Sequence, residues 1–429
     1  MSSVILNSNA NSALVSTLTA SQSLVNPQVY STEPIYPPHS VTYSANDPSN
    51  GNQPIRSNST VFMLNKYGII SQILLTYQKS YTNGAGADGS ALTLGSVQND
   101  FFNVVEKIEL LSSSRVVSTL TKVDFMAQFS NLPTNKMAVI AQNLLEPKSV
   151  GSVTKGQTSG NVSFTCPLVF GFMKDINTQL NASFLEPLSI RCTWGKDWNQ
   201  TTNFATGVVG NVSSPQLSVR YKNYQEDANA KIISENFANP QLNMLSTRFY
   251  DENRESILST PGVATTDNTI EVELKNTECV QDFYVILLRS DPNTAAGASP
   301  TVASDILDPV PEPIKSLNFT GSGQEIVNLT SAQLAYGRLD SDGFSVGQDA
   351  SVAGNGFTNV LKIQTGVYHN GVLSNTISLR EINNPRIRIT FDIDNEANLQ
   401  RYYAYVVEDS SAIYSITSST GALQSSLSN

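Results

Sequence analysis

The sequence predicts an all-β protein: two tandem eight-stranded jelly rolls, β-sandwiches with short inserted helices. Three observations carry that prediction. The first is a repeat: Ile190-Arg191-Cys192-Thr193-Trp194 and Ile387-Arg388-Ile389-Thr390-Phe391 share the pattern Ile-Arg-apolar-Thr-aromatic, 197 residues apart, each shortly after a proline, Pro187 and Pro385. Apolar and polar positions alternate with period two, as in half-buried strands, and the spacing suits a whole domain copied once. The second is the number of strand signals, about eight in each half, without the long alternating helices of a parallel α/β fold. The third is composition. Only 14% of the 429 residues are charged, and Ser, Thr, Asn and Gln supply the other polarity, which suits pleated surfaces and turns.

Residues 1–56 read as an extended N-terminal arm, because Met1 to Ile55 contains no Lys or Arg and Pro34, Pro37 and Pro38 crowd together. The first jelly roll is expected over 57–225. Strands are expected at Val61 to Met63, Ile69 to Tyr77 and Phe101 to Leu111, with a Gly-rich turn at Tyr81 to Gly89. Asp124 to Phe129 and Asn135 to Leu145 break the strand pattern. Met137, Ile140, Ala141 and Leu144 recur at helical spacing, so a short helix is expected there, closed by Pro147. Gly151 to Gly160 reads as a turn, followed by strands at Val162 to Phe172, Leu188 to Trp194 and Gln216 to Tyr224.

A connector is expected over 226–240 and the second jelly roll over 241–416. Thr269 to Leu274 alternates cleanly, and Phe283 to Leu288 is a wholly apolar strand. Asp291 to Pro313 and Asp340 to Gly356 are polar loops longer than usual connections, and they read as exposed projections. Between them lie strand character at Leu317 to Leu329 and a second short helix at Ser331 to Arg338. Strands follow at Val360 to Tyr368, Pro385 to Phe391 and Tyr402 to Ile416, and 417–429 reads as a flexible tail.

The net charge of −10 argues against a large nucleic-acid surface. No charged-then-apolar leader and no long apolar run is present, so the chain is expected to be made in a cytoplasm and not to span a membrane. Cys166, Cys192 and Cys279 are odd in number and set in apolar strands, which favours buried free thiols over a disulfide or zinc site. His39 and His369 are the only histidines, leaving little material for a triad or His-rich metal site. His369, before Asn370-Gly371, reads as opening a hairpin turn. Gly84-Ala85-Gly86-Ala87-Asp88-Gly89 matches GxGxxG but is not followed by a helix pattern, so it reads as a turn. Asp340-Ser341-Asp342-Gly343 and Asp392-Ile393-Asp394-Asn395-Glu396 lack the distal Glu of a calcium loop and read as solvated acidic turns. The sequence therefore predicts no catalytic, cofactor-binding or metal-binding residues and no enzyme.

Several stretches resemble a known family. Val61-Phe62-Met63 through Gly68-Ile69-Ile70 to Thr76-Tyr77 is similar to its opening strand pair, and Phe102 to Leu110 to the strand before its inserted helix. Pro167-Leu168-Val169-Phe170, then Leu180, then Pro187-Leu188-Ser189-Ile190, resembles a "Pro-Leu, loop, Leu, strand" stretch. Gly366-Val367-Tyr368, Arg386 to Phe391 and Arg401-Tyr402-Tyr403-Ala404-Tyr405 are similar to the closing strands. In this order the patterns resemble the double-jelly-roll major capsid proteins of tailless icosahedral dsDNA-type viruses, the tectivirus-like and adenovirus hexon-like lineage. The match spans most of residues 57–416, with loops shorter than hexon towers.

The resemblance implies a viral structural protein of the virion: a homotrimeric, pseudo-hexagonal, hexon-like capsomer that tiles an icosahedral shell. Its implied partners are itself, neighbouring capsomers, and minor capsid, penton or membrane proteins. Two readings of the arm stand side by side: an internal membrane as a further partner, with Val4, Ile5, Leu6, Leu14, Val15 and Leu18 supplying a weak apolar face, or a disordered tail. No direct nucleic-acid binding and no cofactor is implied. The alternative is a carbohydrate-binding or adhesive β-sandwich, which would use aromatic platforms; Trp194 and Trp198 lie in or beside a strand, where core packing is expected instead.

Overall fold

The computed structural model describes residues 39–44, 59–66, 68–83, 104–130, 159–173, 180, 182, 185–194, 208–222, 244–275, 279–290, 307–309, 314–333, 360–364, 367–369, 372–374, 377–395, 399–416 and 422–425. The connector, the GxGxxG segment, the helix expected at Asn135 to Leu145, and the loop Asp340 to Gly356 lie outside these residues.

The first half contains β1 (His39–Ser44), β2 (Ser59–Met63), β3 (Ile69–Asn83), β4 (Val105–Ser112), β5 (Arg115–Thr121), helix α1 (Lys122–Ser130), β6 (Ser159–Pro167), β7 (Leu188–Trp194) and β8 (Val208–Lys222). They form two antiparallel sheets, ordered β1-β8-β3-β6 and β2-β7-β4-β5. Numbered by position in the half, these are 1-8-3-6 and 2-7-4-5. The sheets face each other because each strand buries alternate residues. Ile73, Leu75 and Tyr77 of β3 and Leu217, Val219 and Tyr221 of β8 meet Ile190, Cys192 and Trp194 of β7 in one core.

The second half contains β9 (Met244–Leu258), β10 (Thr265–Glu273), β11 (Cys279–Ser290), β12 (Leu307–Pro309), β13 (Ser316–Gly321), β14 (Gln324–Thr330), β15 (Val360–Gln364), β16 (Val367–His369), β17 (Val372–Ser374), β18 (Ile377–Ser378), β19 (Arg386–Ile393), β20 (Arg401–Ile416) and β21 (Leu423–Ser425). Its main sheets run β9-β20-β11-β15 and β10-β19-β13-β14. With the short strands β12, β16, β17, β18 and β21 set aside, this is again 1-8-3-6 and 2-7-4-5. The repeated pentapeptide occupies the seventh strand both times: Ile190, Cys192 and Trp194 face one core, and Ile387, Ile389 and Phe391 face the other. The duplication visible in five residues is a duplication of the entire strand order.

Local chemistry sets the turns and helix. Ser322 (φ 53°) and Gly323 (φ 74°) join β13 to β14 in a two-residue turn with both φ values positive, the geometry that matches strand twist. Helix α1 starts in a reciprocal cap: the Thr121 N–H donates to Asp124 Oδ2 at 2.7 Å, and the Asp124 N–H donates to Thr121 Oγ1 at 3.3 Å.

The structure corrects several sequence readings. His39–Ser44, assigned to the arm, form β1 against β8. Leu423–Ser425, assigned to the tail, pair with β20, and Leu307–Pro309, inside the first long loop, pair with β11. Short segments of mixed polarity carry no periodic signal, and pairing to a neighbouring edge is what orders them. β5 and β9 carried no strand reading. The charged run Asp251 to Glu255 hides β9, an edge strand held by its backbone ladder to β20 and bearing the charges that edges commonly carry. The turns placed at Tyr81 and Gly160 begin too early or end too late, since β3 runs to Asn83 and β6 starts at Ser159. Beyond Pro167, where strand was expected to Phe172, the chain turns through a 3-10 turn at Gly171–Met173.

Candidate functional site

Strand order places the connections of the second half at two unlike ends. Leu258 lies opposite Arg401, Leu288 opposite Tyr403, Ile286 opposite Val360, Thr265 opposite Ile393, and Ser316 opposite both Thr330 and Thr390. The strand ends that anchor Asp291 to Pro313 and Asp340 to Gly356 therefore share one end of the jelly roll. The β9–β10 turn lies there too. In it Ser259 exchanges hydrogen bonds of 2.8 and 2.9 Å with Gln400, the residue before β20, and Leu258 and Val263 stand 52% and 44% exposed. The β13–β14 hairpin, with its two-residue turn, lies at the opposite end.

The two halves share a seam. The face of β9-β20-β11-β15 that points away from its own partner sheet carries Tyr284, Ile286, Leu288, Tyr405 and Val407, and these belong to the hydrophobic core of the first half. The opposite face of the same strands, through Phe283, Val285, Leu287, Tyr402, Ala404 and Val406, builds the second core. Strands β11 and β20 of this sheet are buried on both sides, which explains why β11 reads as a continuous apolar run. Helix α1 and the turn Gly171–Met173 pack onto it from the first half. The cap residue Thr121 donates across the seam to Glu252 Oε2 at 2.9 Å.

Two buried acids in this layer have polar partners. The Asn253 amide donates to Glu408 Oε1 at 2.8 Å. Lys362 Nζ lies 3.4 Å from Asp282 Oδ2. Burial, reinforced by the Glu252 carboxylate, pushes the Tyr405 hydroxyl up to about 12, while its hydrogen bond with Arg254 works in the other direction. Pairing of this kind is what permits charge inside a packed layer.

The outward face of β2-β7-β4-β5 carries an ion cluster. Glu109 is 4% exposed and accepts from Arg191 Nε at 2.6 Å and Lys107 Nζ at 3.0 Å. Burial raises the Glu109 carboxyl, but the hydrogen bonds and charges of Arg191 and Lys107 together hold it below the usual range. Arg388, at the matching position of the repeat, pairs with Glu271 at 3.5 Å. The repeated Arg is thus an outward-facing cation paired with an acid on a neighbouring strand in both halves.

Other residues singled out by sequence have structural places. Trp194 is 1% exposed, donates from Nε1 to Thr60 Oγ1 at 3.1 Å, and meets Tyr77 edge-on at 5.5 Å between ring centroids. It packs in the core, as expected, and offers no sugar platform. Cys166 and Cys192 are buried free thiols, and desolvation pushes both far above the usual thiol range. His369 pairs with Val372 across a two-residue connection, as a hairpin requires. Asp392 binds Lys315 at 2.7 Å and accepts the Asp267 N–H at 2.9 Å. Among the described residues no group of three or more His, Cys, Asp or Glu side chains converges to hold a metal ion, and no helix is long and apolar enough to cross a membrane.

No family model matches the chain, and no curated protein matches it in sequence. Solved structures do match in fold. The PBCV-1 virus capsid, as a quasi-atomic model, superposes with a TM-score of 0.60 at 12% identity, over 92% of this chain and 97% of that chain. The Faustovirus major capsid protein gives 0.58 at 9% identity, over 89% and 90%. The mavirus major capsid protein gives 0.55 at 13% identity, over 93% and 90%. The chain has the double-jelly-roll fold of these viral major capsid proteins.

Proposed function

We propose that the chain is a viral major capsid protein that assembles as homotrimeric, pseudo-hexagonal capsomers tiling an icosahedral shell. The observation that carries this reading is the exact repetition of strand order in two jelly rolls joined through β11 and β20, whose two faces are both buried. Two like barrels held at a fixed angle give, under threefold symmetry, a near-sixfold outline suited to flat tiling. The full-length likeness to capsid proteins supports the same role.

In this reading the division is an arm, a first jelly roll over 57–225 extended to include β1, a connector over 226–240, a second jelly roll over 241–416 extended to include β21, and the remaining tail. The end bearing the two long loops faces outward. The arm meets neighbouring capsomers, minor capsid or penton proteins, or an internal membrane. The protein resides in the virion after synthesis in the host cytoplasm, and its role is structural, without catalysis.

Native mass spectrometry of the purified chain, with negative-stain images, tests the proposal. The expected result is a trimer, three times 46.4 kDa, with a hexagonal outline. A monomer without lateral assembly overturns it.

A further inference from the structure

The two jelly rolls differ along one equivalent edge. β2 and β10 are the second strands of the two halves, and each lies at the edge of its 2-7-4-5 sheet. Val61 stands opposite Arg191 and Met63 opposite Ser189, while Glu271 stands opposite Arg388 and Glu273 opposite Arg386. Because Arg191 and Arg388 are the repeated arginine, Val61 corresponds to Glu271 and Met63 to Glu273. All four face outward. The second half therefore keeps carboxylates on this edge, a common guard against an added strand. The first half has apolar side chains there instead, 42% and 53% exposed. Among the described residues no strand pairs with the side of β2 that faces away from β7.

An open edge with apolar side chains is a template for strand addition. Its surroundings select the strand it accepts. Arg191 and Lys107 lie on the next two strands and are partly exposed, and Glu109 between them is already bound by both. Lys66 is exposed just beyond Met63. A strand bearing cations is repelled here, and an apolar strand without them is favoured.

The chain contains such a strand. Met1 to Ile55 has no Lys or Arg, and in Ser3-Val4-Ile5-Leu6-Asn7 the alternation puts Val4 and Leu6 on one face. β1 begins at His39 opposite Tyr221, which is also opposite Ile70, so the arm joins the fold at the end where β2 gives way to β3. Met63 lies at that same end. Extended, the chain between Val4 and His39 spans up to about 115 Å, against roughly 50 Å for the longest strands. Pro34, Pro37 and Pro38, close to β1, lack the N–H that a ladder needs. β2 is also the edge farthest from β5, whose side carries α1 and the seam, so joining the two jelly rolls leaves it open.

We propose that the edge of β2 receives Ser3–Asn7 from the arm of a second copy in a neighbouring capsomer, as a fifth strand of the sheet, with Val4 and Leu6 beside Val61 and Met63. The inference rests on the capsomer reading and names the surface that its arm meets.

The test uses the full-length chain, with trimers purified separately in unlabelled and heavy-nitrogen-labelled form and then mixed. Met63→Cys carrying a benzophenone maleimide is irradiated in the mixture. The expected photoproduct joins the β2 peptide of one label to the tryptic peptide Met1–Arg56 of the other. Val61→Glu with Met63→Glu, which copies the edge of the second half, is expected to leave the trimer intact by native mass spectrometry and to weaken association between trimers at least about tenfold by light scattering. Val4→Glu with Leu6→Glu is expected to do the same. Leu258→Glu, at the end that bears the long loops, is the control and is expected to change neither. Arm products confined to pairs of like label, no arm product at all, or an equal loss in the control overturns this inference and leaves the capsomer reading standing. A monomeric parent chain overturns the capsomer reading itself.

Discussion

Ile286 provides a decisive test of whether the two jelly rolls form one cooperative body. It lies on β11, in the second half, yet its side chain is 1% exposed within the first half's core. Ile286→Ala removes three methyl or methylene groups. At about 0.8 kcal/mol per buried group this costs roughly 2.4 kcal/mol, and the residual cavity raises it toward about 4 kcal/mol. With an m-value on the order of 3 kcal/mol/M or more for a chain of this size, the urea midpoint falls by about 1 M. Both tryptophans, Trp194 and Trp198, belong to the first half, so fluorescence reports on that half while far-UV circular dichroism reports on both. The expected outcome is that both transitions move together. A fluorescence midpoint that stays in place while the dichroism midpoint falls would refute the shared seam.

Three further outcomes are expected. Thr60→Val removes the acceptor of the buried Trp194 N–H and should cost about 1–3 kcal/mol by chemical denaturation; an unchanged midpoint would mean the bond contributes nothing. Because the Glu109 carboxyl is held below its ordinary range, its stabilisation is fully present above that range and is lost as pH falls through its folded value. Glu109→Gln should therefore flatten the acid limb of the stability profile, and an identical limb in both proteins would count against the cluster. Gly321→Ala places a Cβ inside contact distance of Ile382 Cγ2. It should destabilise by about 1–3 kcal/mol, with partial recovery in the double variant Gly321→Ala/Ile382→Ala; strict additivity in that cycle would exclude the clash.

The fold was legible where side chains alternate strictly. β7, β10, β11 and β19 each show a clean period-two or continuous apolar pattern, and their burial follows it except at Ser189 of β7 and at the irregular start of β10. It was not legible where backbone pairing alone orders the chain. β1, β21 and β12 are short, and β9 is charged in its middle, so their strand identity comes from partners distant in sequence. The capping box that starts helix α1 was also missed, because Thr-x-x-Asp is a weak signal on its own.

By itself the sequence determined that the protein is all-β, that its domain is duplicated, and that Cys166, Cys192 and Trp194 belong to cores, because periodicity and composition report which face of a strand leaves water. Only the tertiary structure decided that β11 and β20 are buried on both faces and join the two halves. One-dimensional alternation records that a residue is buried but not which of two cores receives it. That choice is made by helix α1, more than a hundred residues earlier in the chain, and by the turn Gly171–Met173, both approaching from the first half.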